Sequence, residues 1–396
     1  MTLHPIEPGQ RLGTLDRAMA IAEAEVAVKI ASQSLDEGPQ PLAQSLIKLA
    51  LLLVETGQLG LQERAKTLLF RTEALLSHPP RGQAREYRPQ IARLMYGRGL
   101  LYVWQRNFVD ALVHLRSAAR AFGEEDEGLS LVDDGLGRYY AALNDFHAAL
   151  FHFERSLTRR SPDSPDRLIS LVLLGHLHQQ SYLNDRAEVY YQQALTLAEE
   201  LGELDLKLQA WAGLGRVATA RQDWGRAEQC IRTALVGRTS PYELQQAAYL
   251  YLNLAEIELG QGHCDRAETL VEGDAAPRFE ALESEVGWAH VNRMMGCILT
   301  QRLSQPTAWD DQLAETAEDY FLDASMTFEE HGLVAPYALT LHDMAGLYRL
   351  ATQRQDVPPL RRQSDSCFGV GAQRSGKGAA KGHQPQFQAG SAAQRH

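Results

Sequence analysis

The chain has little of what marks an enzyme, a disulfide scaffold or a nucleic-acid-binding protein. It holds four cysteines in 396 residues, Cys230, Cys264, Cys297 and Cys367, far apart and with no CxxC spacing. That excludes a disulfide framework and a thiolate zinc site, and it fits a reducing compartment. Net positive charge is absent: the formal charge is −11, whereas a protein that neutralises phosphates needs a basic face, so nucleic acid is not an expected partner. Long apolar runs are missing as well. The stretch from Leu49 to Val54 falls far short of the roughly 20 residues that cross a bilayer, so no membrane is expected. The opening MTLHPIEPGQRLG lacks a basic segment followed by an apolar one, which predicts a cytoplasmic location.

Catalytic and metal motifs are equally scarce. No GxSxG or HExxH occurs. The segment Gly371 to Gly378, GAQRSGKG, matches GxxxxGK, but Gly378 replaces the Ser/Thr that would bind magnesium, and neither flank can supply the strand and helix such a loop joins. His176 and His178 are two apart, which points their rings to different faces of a helix. Glu124 to Glu127 lacks the alternation and glycine of a calcium loop and reads as solvated. The chain is therefore not expected to be an enzyme, and no cofactor or metal site is expected.

What the sequence does have is a repeat. Gly135 to Leu157, GLGRYYAALNDFHAALFHFERSL, reads as two short helices. Leu136, Gly137, Tyr140 and Leu143 share one face of the first, and Phe146, Ala149, Leu150, Phe153 and Leu157 one face of the second. Asn144-Asp145 between them favour a turn and a helix N-cap, because their side chains bond nearby backbone N–H groups. The same register returns with Gly99, Tyr102, Phe108, Ala111, Leu115 and Ala118. It returns again with Leu174, Gly175, Ala187, Tyr191 and Ala194, and with Leu214, Gly215, Trp224, Ala227, Ile231 and Ala234. A weaker copy keeps Leu254, Ala255, Ala267 and Val271. The alanine falls at 111, 149, 187, 227 and 267, spaced by 38, 38, 40 and 40 residues. One such pair cannot bury its apolar stripe alone, so the pairs must stack.

The Leu-Gly pairs, the aromatic residue three positions on, the Asp/Asn-aromatic turn and the following alanine series resemble the tetratricopeptide repeat family. The resemblance covers roughly residues 41–351. The period exceeds that family's usual figure of about 34, as in the long-repeat members found among bacterial regulatory proteins and kinesin light chains. It implies an all-α fold, a right-handed solenoid of about seven helix pairs closed by a C-terminal capping helix.

Along the chain, residues 1–11 carry Pro and Gly and are expected to be disordered. Residues 12–86 hold an Ala-rich helix and a degenerate repeat in which Ala50 and Ala65 take the small positions. Well-formed repeats occupy 87–273, and Gly273 to Pro277 is expected to end them. Residues 274–353 read as a distorted repeat: a long helix from Phe279 to Arg302, an insertion containing Pro306, a helix with Ala317, Phe321 and Ala324, and a cap from Pro336 to Leu350. The tail, 354–396, has seven Lys/Arg against two Asp/Glu and few aliphatic residues, and is expected to be a disordered basic segment.

In the family it resembles, the first helix of each pair lines a concave groove that binds peptides. Carried over by register, this implies a groove of Arg93, Tyr96, Trp104, Asp134, Arg138, His176, Gln179, Gln180, Gln209, Arg216, Tyr249, Glu256, His290 and Arg293. Arg138, Arg216 and Arg293 stand out on an acidic chain, and arginine forks suit carboxylates, so the expected partner is another protein or an extended acidic peptide. The expected function is a protein-binding scaffold or adaptor in regulation or signalling. The alternatives are an assembly factor that holds a subunit of a larger complex, and the regulatory portion of a multidomain signalling enzyme or transcription factor cut near residue 353.

Overall fold

The computed structural model describes residues 17–33, 38–56, 58–77, 84–123, 126–162, 164–236, 243–305 and 309–353. The expectations for residues 1–11, for the tail and its GxxxxGK match, and for Pro306 concern residues outside this set. The described residues form helices and no strand: α1 Arg17–Gln33, α2 Gln40–Val54, α3 Leu59–Leu76, α4 Ala84–Trp104, α5 Phe108–Phe122 and α6 Asp126–Ala142. Then follow α7 Phe146–Arg159, α8 Pro165–Gln180, α9 Asn184–Leu201, α10 Leu204–Ala220, α11 Trp224–Leu235 and α12 Leu244–Gly260. The chain continues through α13 Cys264–Leu270, a π-helical turn Val271–Ala275 and α14 Ala276–Ala281, then α15 Glu285–Ser304, α16 Asp311–Glu330 and α17 Val334–Gln353. These pack in chain order as seven antiparallel pairs, the sixth joining α12 to the segment from α13 to α14. α1 covers one end and α17 the other.

The repeat works through size. Ala65, Ala111, Ala149, Ala187, Ala227, Ala267 and Ala317 are all fully buried. In five of the seven pairs the first helix presents a glycine to a large side chain four residues beyond the alanine. A Cβ at Gly137 would lie 2.4 Å from the Phe153 ring, and one at Gly175 would lie 2.5 Å from Tyr191. The same clash is built in at Gly99 against Leu115, Gly215 against Ile231 and Gly296 against Phe321. Hence each of these five pairs needs both a missing side chain and a filling one, and interiors this tightly packed do not tolerate extra volume.

The turns repeat as well. Arg106, Asn144, Tyr182, Gln222 and Gly262 all have positive φ, at intervals of 38, 38, 40 and 40 residues. The next residue is the N-cap of the second helix, and Asn107, Asp145 and Asp223 cap it by accepting from the backbone N–H three residues on.

Two sequence expectations fail in the sixth pair. Gly273 to Pro277 does not end the helix: the chain widens into the π-helical turn and remains helical to Ala281. The reason is local, because a π turn shifts the hydrogen-bond register and Pro277, near the start of α14, needs no donor there. Phe279 accordingly belongs to the preceding helix, where it is fully buried against Gly287, and the long helix begins at Glu285. Ser284 caps it by accepting from the Gly287 N–H at 3.0 Å.

Candidate functional site: the concave face

The first helices of the pairs face inward. Residues of α2, α4, α6, α8, α10 and α12 line a common cavity of about 730 Å³, closed on one side by Ala20 of α1 and on another by Leu333 in the α16–α17 turn. Its walls are largely apolar, and the polar or amphipathic groups are Glu55, Trp104, Arg106, Arg138, His176, Gln180, Glu203, Asp205, Gln209 and Gln246. The register explains this choice. The residue directly after each small position, Arg138, His176, Arg216, Glu256 and Cys297 in successive first helices, recurs at 38, 40, 40 and 41 residues. It therefore forms one column along the inner face.

The polar side chains around this column fall into two halves. In the first, Arg138 reaches back to Glu55 beside α2 at 3.1 Å, while its buried Nε has no hydrogen-bond partner. Arg216 donates through Nε to the Gln179 side-chain oxygen at 3.0 Å, and the Tyr191 hydroxyl donates to the same oxygen at 3.3 Å. Among the described residues no carboxylate forms an ion pair with Arg216. His176 lies between these cations. Burial first, then Arg216 and Arg138, push its pKa down to about 3, so the ring is neutral. Gln209 donates to Asp205 at 3.0 Å, Gln180 is exposed, and Trp104 is 44% exposed at the cavity mouth.

The second half is internally satisfied. Arg293 of α15 is ion-paired to Asp343 of α17 at 2.5 Å, with Glu256 in the same electrostatic neighbourhood. Enclosure by the surrounding walls raises the Glu256 pKa, Arg293 opposes that shift, and Asp343 adds to it. His290 packs edge-on against Phe328 and Tyr249, at centroid distances of 4.8 and 5.3 Å, and Tyr249 in turn meets Phe279 at 5.1 Å. Burial, seconded by Arg293, lowers the His290 pKa to about 3, and burial pushes the Tyr249 hydroxyl up to about 12.

Of the fourteen residues expected in the groove, Trp104, Arg138, His176, Gln180 and Gln209 line the cavity together, and Gln179 and Arg216 adjoin them through hydrogen bonds and charge. Two are corrected. Tyr96 is 5% exposed and packs against Gly135 between α4 and α6, because the glycine leaves room for its ring. Asp134 is 2% exposed and ion-paired to the equally buried Arg160 at 2.7 Å. Arg93 is half-buried, has no ion pair among the described residues and does not line the cavity. Tyr249 and His290 are wall packing, and Arg293 is neutralised.

Sequence reasoning missed Glu55 and Asp343. Asp343 was findable: it stands three residues before Gly346, as Asp134 stands three before Gly137 and Arg293 three before Gly296. Glu55 sits at the end of α2 in a degenerate repeat, where no register pointed to it.

Among the described residues no helix is long and apolar enough to cross a membrane, and no cluster of three or more His, Cys, Asp or Glu could hold a metal ion. No protein-family model and no curated protein sequence matches the chain. Solved structures do. A Rap protein complexed with competence and sporulation factor aligns over 85% of this chain and 99% of its own, with a TM-score of 0.53 at 16% identity. The chain has the tetratricopeptide-repeat fold. Two further structures align less closely. A tetratricopeptide repeat protein from Parabacteroides merdae covers 77% of this chain and 98% of its own at 15% identity, with a TM-score of 0.43. Aspartyl phosphate phosphatase F from Bacillus subtilis covers 84% and 90% at 14% identity, with a TM-score of 0.49. Most residues that line the cavity come from the first helices of the pairs, with Ala20 of α1, Phe153 of α7 and Leu333 added from elsewhere.

Proposed function

We propose that the array is a non-enzymatic, protein-binding adaptor of the cytoplasm, and that the α2–α10 half of its concave face takes an extended acidic segment of a regulatory partner. The observation that carries this reading is Arg216: a guanidinium whose partners, the Gln179 amide and the Tyr191 hydroxyl, are both neutral, next to Arg138 with its unsatisfied Nε, beside a cavity of about 730 Å³. A cation held among low-dielectric walls without a counter-charge is a standing attraction for a carboxylate, and arginine can meet one bidentately. The apolar lining and Trp104 supply area for aliphatic or aromatic side chains beside the acid. His176 stays neutral in this setting and offers a ring nitrogen for hydrogen bonding rather than charge. The Rap protein of similar fold was solved with competence and sporulation factor bound, which is in keeping with a ligand-binding array.

The test is selection of a random peptide library on the full-length chain, with an Arg138→Ala/Arg216→Ala variant for counter-selection. Enrichment of Asp- and Glu-bearing sequences whose retention falls with added salt is the expected result. Enriched peptides that lack carboxylates, or that the variant retains equally, would remove this half of the groove as the site.

A further inference from the structure

What is satisfied in the second half of the groove is the arginine, and its pairing with Asp343 leaves a carboxylate over. Glu256 stands in α12 at the position that Arg216 holds in α10 and Arg138 in α6, directly after the small residue of the first helix. Among the described residues it forms no ion pair and no hydrogen bond, because Arg293 is taken up by Asp343 at 2.5 Å. Glu256 is exposed, and its register opens it to the groove, whose walls raise its pKa.

The inner column therefore changes sign along the array. Around Arg138 and Arg216 a single carboxylate, Glu55, stands against two guanidinium groups, which leaves one positive charge. Around Glu256 a single guanidinium, Arg293, serves two carboxylates, which leaves one negative charge. His176 and His290 are neutral and alter neither sum. The other charged groups of the cavity wall lie at its rims. Arg106 follows the end of α4, and Glu203 and Asp205 precede Arg216 by thirteen and eleven residues, about 16 Å or more along α10.

We propose that the partner segment is bipolar: past the acidic residues held at Arg138 and Arg216 it carries a lysine or arginine, which Glu256 receives. This rests on the acidic-segment reading of the α2–α10 half and adds the register in which the segment lies. Successive first helices stand about 10 Å apart, and an extended residue advances about 3.3 Å. The basic residue therefore falls about three or four positions from the acid at Arg216. A segment acidic throughout meets Glu256 and Asp343 with like charge, so the groove discriminates against it.

The experiment is selection of a random peptide library on the full-length chain, on Glu256→Gln and on Glu256→Lys. Its peptides must span α6 to α12, about ten residues or more. The parent should enrich peptides in which Lys or Arg recurs at one fixed distance, about three or four residues, from Asp or Glu. On Glu256→Gln the acidic residues should persist while the basic position becomes random, and on Glu256→Lys an acidic residue should take that position. One peptide from the parent pool is then titrated with its basic residue present or replaced by Ala. The replacement should weaken binding to the parent about tenfold, as loss of a screened charge-assisted contact does. It should leave binding to Glu256→Gln within about twofold, because there the contact is already gone. Glu256→Gln keeps the side chain's shape at an exposed position, so it should melt with the parent. Acidic enrichment without a basic companion, or a companion that Glu256→Gln retains, would overturn this inference and leave the acidic-segment reading standing. A pool with no acidic enrichment would overturn both.

Discussion

The two halves of the concave floor are built from the same repeat and carry the same kind of side chain, yet they use it in opposite ways. Arg216 in the α2–α10 half finds only the neutral Gln179 and Tyr191 side chains, while Arg293 in the α12–α17 half is met by Asp343 of the terminal helix. The capping helix therefore does more than cover an apolar end. It supplies the anion that takes one arginine out of play. The lesson is that an arginine in a groove-facing register is a candidate only until the next unit is in place. Its availability is set by the adjacent helix, not by its own repeat.

The largest effects should come from breaking the scaffold that both halves share. Ala187→Glu in the first half and Ala267→Glu in the second each force a charge and four extra heavy atoms beyond Cβ into a fully buried helix crossing. Each should cost about 3 kcal/mol or more through overpacking and desolvation. Denaturant melts would check this. A variant that melts like its parent would show that the alanine does not sit at the crossing.

Next comes the ion pair that separates the halves. Asp343→Ala leaves the largely buried Arg293 without its counter-charge, and removing one partner of such a pair should cost about 1–3 kcal/mol. It should also make the second half resemble the first, so that acidic peptides gain affinity there. Arg293→Ala/Asp343→Ala together should recover part of the lost stability and none of the new binding. Melting and peptide titration of the two variants would show this.

How far this was legible in the sequence divides along the same line. Helix pairing, turns and packing were readable because each is fixed within about 40 residues: the alanine recurs in every unit, and the glycine, the positive-φ turn and the cap in most of them. The π turn was not, because Gly273 and Pro277 together look like a break, and only the burial of Phe279 against Gly287 shows that the helix continues. The groove face was readable in part. Arg138, His176 and Arg216 stand where the register puts them, but Tyr96 and Asp134 lie three residues before the glycine of their helices and are buried, Tyr96 against Gly135 of the next unit and Asp134 against Arg160 at the end of α7. Which arginines are neutralised depends on Glu55 and Asp343, contributed by units on which the repeat itself is silent.

The smallest predicted effect is on pH dependence. His290 takes a proton at about 3 in the folded state, against an ordinary value of 6.5. Between those values the unfolded chain binds more protons, so stability falls as pH drops from 6.5 towards 3, and His290 contributes no slope above that window. His290→Phe keeps a ring against Phe328 and Tyr249 but cannot titrate. Its melting temperature should therefore decline less steeply than the parent's through the same window. His176 should retain its own share of the slope, so the curve flattens without becoming level. Parallel slopes for parent and variant would mean that His290 is not enclosed as described.

The most direct test of the difference between the halves is a calorimetric comparison on one peptide. An acidic peptide selected on the parent would be titrated, at low and moderate salt, into the parent, into Arg138→Ala/Arg216→Ala and into Arg293→Ala. Charge-assisted hydrogen bonds contribute about 1.5–3 kcal/mol each. The first variant should therefore lose at least about thirtyfold in affinity after allowance for screening. Arg293→Ala should stay within about threefold of the parent, because its charge is already spoken for by Asp343. Equal losses in the two variants, or full affinity in a folded Arg138→Ala/Arg216→Ala protein, would contradict the account.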